Sequence, residues 1–357
     1  AERISLYLHT MRRQAEQLSV AAQGLKFTSF AVGGGTPLIL DEGQLEELFC
    51  LAELFGVHPS RVFTSVETSP EYTQKSVLRQ LRARGVERLS MGVQSFNETE
   101  LKKLKRRPGL GTVVGALENI VEAGFPQFNL DLIYGIEGQT VESFMRSLNT
   151  ALTYRPNELF IYPLYVRPGT RINVRSTDDI GYAIYKSARE LLVGQGFVQT
   201  SMRRFVRRET TETEFSCGDE VMLSCGAGGR SYLGNLHYAT PYAVRQQAIA
   251  DEIDHYIRTT DFMTAANGFL LSTEEMQIRF IIKNLMYHRG VDLAEYEKRF
   301  GEKPDRNLFR EFTDRGWIEE TGRIVRLTEE GMAYSDYIGQ AFISPVVRKL
   351  MSEYVYP

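Results

Sequence analysis

The sequence predicts an α/β protein built on a parallel sheet covered by helices, followed by a smaller C-terminal domain. Three observations predict it. Short β-rich runs alternate with amphipathic helical stretches through the first half. The rhythm changes after Pro168-Gly169, and three helical segments followed by a polar hairpin turn close the chain.

Taken in order, the candidate strands of the first half are residues 4–9, 27–32, 61–66, 88–93, 127–133 and 158–166. Helical stretches are expected at 11–23, 43–55, 71–84, 97–106, 112–123 and 141–154. Six βα steps with near-continuous apolar strands indicate a parallel sheet. Period alone does not decide between a doubly wound sheet and a curved partial barrel. Further on, a helix near 180–193 leads to a strand near 197–205, a polar stretch at 207–214 and a Gly-rich turn at 226–229. Helices at 273–287, 293–300 and 306–315 precede β runs at 317–319 and 324–327, joined by Glu320-Thr321-Gly322-Arg323. Helix, helix, helix and hairpin is a winged-helix pattern. The expected divisions are residues 1–175, 176–260 and 261–357.

Composition narrows the function classes. The 357 residues are 43% hydrophobic and 24% charged, with a formal net charge of −3. That balance gives no reason to expect nucleic acid or an anionic membrane as partner, and no apolar run reaches the roughly 20 residues that span a bilayer. Cys50, Cys217 and Cys225 are too few for a disulfide framework in a chain of this length, so a reducing cytoplasm is expected. In the C-terminal pattern Arg306, Arg310, Arg315 and Arg323 are interleaved with Asp305, Glu311, Asp314, Glu319 and Glu320. No basic stripe emerges, and a lid over the sheet is expected rather than a nucleic-acid surface.

The sharpest motif is Gly33-Gly34-Gly35-Thr36-Pro37, directly after an apolar strand. Adjacent glycines let the backbone approach a ligand closely, although a tight strand-to-helix turn uses the same residues. Polar residues recur at the ends of the following strands: Glu67, Gln94 and Asp131. Singly, each could be a helix cap or loop anchor. From successive strands of a parallel sheet they imply a small polar ligand held at the C-terminal edge.

Gly33–Pro37, Glu67–Pro70, Ser90–Phe96, Asn129–Gly135 with Gly138-Gln139-Thr140, and Tyr162–Thr170 resemble, in order and spacing, the radical S-adenosylmethionine (SAM) enzymes of the oxygen-independent coproporphyrinogen III oxidase-like family. The resemblance implies a (β/α)6 partial TIM barrel of radical SAM type with a C-terminal α+β winged-helix-like domain. It implies SAM and a [4Fe–4S] cluster as cofactors, a 5′-deoxyadenosyl radical that abstracts hydrogen from a small-molecule or tetrapyrrole-like substrate, and an electron donor such as flavodoxin or ferredoxin. Position by position, Gly33, Gly34, Gly35 and Thr36 would receive the methionine amino group, with Glu67 beside it and Arg106 on the carboxylate. Gln94 and Asp131 would bind the ribose, backbone near Gly135 would meet adenine, and Tyr7 would join the cofactor site from the first strand. Arg106 also belongs to the basic run 102–107, which could be a solvated helix face.

Two departures from the family stand out. Its C-x3-C-x2-C cluster motif is absent; residues 4–9 resemble the first strand and 10–16 the helix after the cysteine loop, so that loop is expected, and missing, between His9 and Thr10. The substrate region also differs: Ser201-Met202-Arg203-Arg204-Phe205-Val206 replaces the family's Gly-Met/Leu-Asp-His-Phe-Ala segment, and the haem chaperones' Glu-x-Ser-Asn-Tyr/Phe segment is absent too. Neither porphyrinogen decarboxylation nor haem delivery follows. Arg203, Arg204 and Arg230 are candidates for an anion pocket, unless Arg203 and Arg204 point to opposite faces of a strand. A haem-binding carrier and a cluster-free SAM-binding module remain as alternatives to the enzyme.

Overall fold

A computed structural model describes residues 2–166, 178–208, 221–241, 243 and 245–354. The expected boundary at 175/176, the Pro168–Thr170 end of the motif, Cys217 and most of the polar stretch 207–214 lie outside them. The elements run α1 (Glu2–Ala21), β1 (Ser29–Val32), α2 (Glu42–Glu53), β2 (Phe63–Thr68), α3 (Lys75–Ala83), β3 (Arg88–Gln94), α4 (Glu98–Lys103), α5 (Leu110–Ala123), β4 (Gln127–Tyr134), α6 (Val141–Thr153), β5 (Glu158–Pro163), α7 (Asp178–Gly194), β6 (Phe197–Gln199) and β7 (Arg204–Arg207). Then come β8 (Arg230–Leu233), β9 (Leu236–Ala239), α8 (Gln246–Arg258), β10 (Gly268–Leu270), α9 (Thr273–Leu285), β11 (Val291–Asp292), α10 (Leu293–Phe300), α11 (Asn307–Asp314), β12 (Ile318–Thr321), β13 (Ile324–Leu327), α12 (Glu329–Ala333), α13 (Ser335–Ala341) and α14 (Pro345–Glu353).

Among the described residues the main sheet has the order β1-β2-β3-β4-β5-β7-β6. Strands β1 to β5 are parallel, and the β6–β7 pair is added antiparallel to β5. The α/β partial-barrel class stands, but residues 4–9 are not its first strand: they lie in α1. Alternation of Ile4, Leu6 and Leu8 with polar residues imitates a strand. The buried set Leu8, Ala15 and Leu18 instead follows helical spacing, and α1 packs against α2 and α8. The helix runs unbroken across His9–Thr10, so no strand-to-loop junction exists there.

The expected strand at 197–205 is a hairpin. Backbone N–H groups of Arg203 and Arg204 donate to the Ser201 hydroxyl, and Thr200 N donates to Arg204 O, turning the chain back on itself. The sheet formed by β8, β9 and β10 had no clear sequence signal, because its strands are three or four residues long. The C-terminal region matches expectation: α9, α10 and α11 precede the β12–β13 hairpin, which turns at Gly322 (φ 62°) and pairs with β11.

The parallel strands are two-faced. Val66, Leu89, Met91, Leu130, Leu132, Leu159 and Ile161 are buried in one core cluster with helix residues such as Leu78, Leu117 and Leu148, each worth about 1.5–3 kcal/mol. The residues between them in sequence are polar or aromatic: Ser65, Glu67, Arg88, Ser90, Asn129, Asp131, Glu158, Phe160 and Tyr162. The near-continuous apolar strands read from the sequence are therefore alternating ones, with the apolar face under the helices and a polar inner face.

Candidate nucleotide site at the strand ends

The ladder fixes the site's geometry. Val32 pairs with Val66, which sets Gly33 beside Glu67. Glu67 pairs with Ser90, Ser90 with Asn129, and Gly92 with Asp131. Gly33, Glu67, Gln94 and Asp131 are thus brought to neighbouring strand ends on one edge.

At β1 the backbone of Gly34 (φ 78°) and Gly35 (φ 61°) is left-handed, which favours glycine. Gly34 N donates to Glu67 Oε2 at 3.2 Å. A Cβ on Gly33 would lie 2.9 Å from the Glu67 carboxyl carbon, so glycine lets the carboxylate cross under the loop. Thr36 precedes a short 3-10 turn at Pro37–Ile39.

Gln94 is buried with φ 73°, at a register irregularity where β3 meets β4. Such a conformation in a non-glycine residue costs energy and is held by its surroundings. The next residue, Ser95, is anchored by a buried carboxylate. Glu100 Oε2 accepts from Ser95 Oγ at 2.6 Å and from Gln139 Nε2 at 2.9 Å, and its Oε1 accepts from Ser143 Oγ at 2.7 Å. Gln139 Oε1 in turn accepts from Gly135 N at 2.9 Å, where φ is 83°. One side chain therefore ties the loops after β3 and β4 to the start of α6.

Asp131 accepts from Asn129 Nδ2 at 2.7 Å. Burial pushes its carboxyl up to about 7; the Asn129 amide and Arg88 oppose the rise, while Glu67 and Glu158 add to it. Below it on the inner face Arg88 Nε donates to Glu158 Oε2 at 2.7 Å and Arg88 reaches Ser65 Oγ at 3.0 Å, with Arg204 paired to Glu158 from the other side.

Other expected residues are not brought to this edge by the contacts they make. Tyr7, on α1 rather than a strand, accepts from Ala227 N at 2.9 Å and packs on Tyr256. Arg106 is exposed in the turn after α4. Arg204 is buried and neutralised by Glu158, Arg203 pairs with Asp336 and Tyr165 at the C-terminal region, and Arg230 is exposed on β8 of another sheet. The three arginines do not form an anion pocket. Arg88, Gly92, Asn129, Glu158 and Tyr162 share the inner face with the expected residues, and Glu100 anchors the adjoining loops; none of them was expected here, although the two-residue period of β3, β4 and β5 carried the signal for all but Glu100.

Cys50 is on α2; Cys225 lies in the loop before β8, where burial pushes its thiol up to about 12. Among the described residues no three His, Cys, Asp or Glu side chains gather as a metal site. The described residues do not fit a [4Fe–4S] cluster.

A radical SAM superfamily model matches residues 3–151, and a HemN C-terminal domain model matches residues 271–334. The haem chaperone HemW of Bacillus subtilis is 27% identical over 334 residues, 87% of this chain and 84% of that protein. The oxygen-independent coproporphyrinogen III oxidase of Salmonella typhimurium is 35% identical over 292 residues, 75% of this chain and 62% of that protein. The solved structure of coproporphyrinogen III oxidase (HemN) from Escherichia coli superposes with a TM-score of 0.80 at 22% identity, covering 95% of this chain and 83% of that one, which shows the fold. The chain belongs to the radical SAM superfamily, among the oxygen-independent coproporphyrinogen III oxidase-like proteins.

Proposed function

We propose that this chain binds SAM across the C-terminal edge of its parallel strands and acts as an oxidoreductase-like member of its family on a small-molecule or tetrapyrrole-like substrate. The observation that carries the nucleotide part is the ladder register, which aligns Gly33-Gly34, Glu67, Gln94 and Asp131 on adjacent strands. The ammonium end suits Glu67 and the glycine turn, and the ribose diol suits two acceptors, Gln94 and Asp131. The polar inner face supports this assignment, because it presents the Glu67 and Asp131 carboxylates where a ligand with several N–H and O–H donors would lie. Cleavage of SAM in this family depends on a [4Fe–4S] cluster. The described residues support nucleotide binding and supply no cluster ligands for its cleavage.

A soluble electron donor and a cytoplasmic setting belong to the same proposal. Among the described residues no helix is long and apolar enough to cross a membrane. The extensive match to haem chaperones favours one second reading, a haem-binding carrier.

Calorimetric titration with SAM, on the wild type and on Glu67→Gln and Asp131→Asn, tests the nucleotide part: both variants are expected to weaken binding at least tenfold. Anaerobic reconstitution with iron and sulfide, followed by assay of 5′-deoxyadenosine and by haem titration, separates the rest. Product release supports the oxidoreductase reading. Stoichiometric haem binding without product supports the carrier, and SAM bound but unchanged supports a binding module.

A further inference from the structure

Asn129 sits on the inner face of β4, one ladder position below Asp131, and is 1% exposed. Its amide nitrogen donates to Ser90 Oγ at 2.7 Å and to Asp131 Oδ1 at 2.7 Å. The carboxylate fixes the orientation of this amide, because a flipped Asn129 would set oxygen against oxygen. Its Oδ1 is then left buried and without a partner. A buried acceptor with no donor lowers stability unless something else supplies one.

We propose that Asn129 is a further ligand-binding and positioning residue: its free Oδ1 accepts a hydrogen bond from a hydroxyl or amino donor of the bound nucleotide, while its amide holds the Asp131 carboxylate toward the same ligand. This rests on the SAM-binding reading above. The amide is the nearest group favouring ionised Asp131, which faces Glu67 from β2, Arg88 from β3, and Glu158 and Tyr162 from β5, with Arg204 of β7 bound to Glu158. Arg88 is paired with Glu158, so the neutral amide, whose other N–H goes to Ser90 Oγ, is the donor hydrogen-bonded to Asp131. Loss of the amide makes Asp131 harder to ionise, and a protonated carboxyl is a poorer acceptor for a diol.

The test is calorimetric titration with SAM from pH 5.5 to 8.5 on the wild type, Asn129→Ala, Asn129→Asp and Asp131→Asn, with unliganded melts as a folding check. Asn129→Asp keeps an oxygen of the same size and removes the amide donors, so it carries the test if the Ala variant fails to fold. Wild-type affinity is expected to fall as pH drops through about 7. Asn129→Ala should weaken binding about tenfold at pH 8 and move the midpoint up by about one pH unit, the size of one charge-assisted hydrogen bond, and Asn129→Asp, which also sets a second carboxyl beside Asp131, should move it up by more. If Asp131→Asn abolishes the pH dependence while both Asn129 variants keep wild-type affinity and midpoint, Asn129 is structural and the inference is overturned. If the wild type binds no SAM at any pH, the nucleotide reading falls and the inference with it.

Discussion

Gly92 lies opposite Asp131 across the β3–β4 ladder, and the side chain it lacks is the space that Gln94 occupies. A Cβ at Gly92 would come 2.5 Å from Gln94 Nε2. A glycine inside a strand often marks a close approach of this kind. Here it lets Gln94, two residues further on, fold back beside the carboxylate it would share a ligand with.

Gly92→Ala therefore displaces the end of a flexible side chain and not the backbone. The expected result is a melting temperature within a few degrees of wild type, because the Gln94 amide can swing away, together with about a tenfold loss of SAM affinity. Parallel melting curves and titrations check it.

Glu100 gathers donors from Ser95, Gln139 and Ser143 in a buried setting. Removing it takes the charged acceptor from all three and leaves them the weaker contacts to Ser147 Oγ, Ile133 O and Thr140 O. Glu100→Ala is expected to cost about 2–4 kcal/mol in chemical denaturation. Backbone amide exchange should rise at Ser95, Gly135 and Gln139.

Glu158 neutralises Arg88 and Arg204 together in the sheet interior, each of the three side chains no more than 12% exposed. Glu158→Ala leaves two buried cations facing each other across the inner face. A destabilisation of about 3–5 kcal/mol is expected by urea unfolding. The double variant with Arg88→Met should recover part of it.

Asp131 gives stability its own pH dependence. Its carboxyl is raised to about 7 in the fold, against about 3.9 when unfolded. Between these values the folded state holds a proton that the unfolded state has lost, so this group's contribution is full below about pH 4 and is lost as pH rises toward 7. Asp131→Asn removes the effect. The stability of the Asn variant relative to wild type is expected to grow from pH 4 to 7 and then level off, as read by urea unfolding across that range.

Much of this was legible in the residues. The triple glycine, Glu67, Gln94 and Asp131 announced a strand-end site, and the ladder brings them together. Strands β1 to β5 and the winged-helix order were readable because turn residues flank the strands and α9, α10 and α11 bury apolar residues at helical spacing, such as Ile281 and Leu285, Leu293 and Tyr296, and Phe309 and Phe312. The failures have physical causes. Residues 4–9 alternate like a strand over six residues, and only the longer helical period through Leu18 decides against it. The reversal at Ser201 depends on a side-chain hydroxyl capping two amides, which no periodicity reports. Arg204 looked available to an anion because its counter-charge, Glu158, is 46 residues away in sequence. Glu100 sits in a helix whose pattern reads as solvated, and its burial is set by the loop after β4 and the start of α6.

A crystal structure of the protein with S-adenosylhomocysteine tests most directly where the nucleotide lies. Density is expected with the amino end against Gly34 and Glu67 and the ribose between Gln94 and Asp131, over Asn129. Density bound elsewhere on the chain, with these strand ends empty, would contradict it.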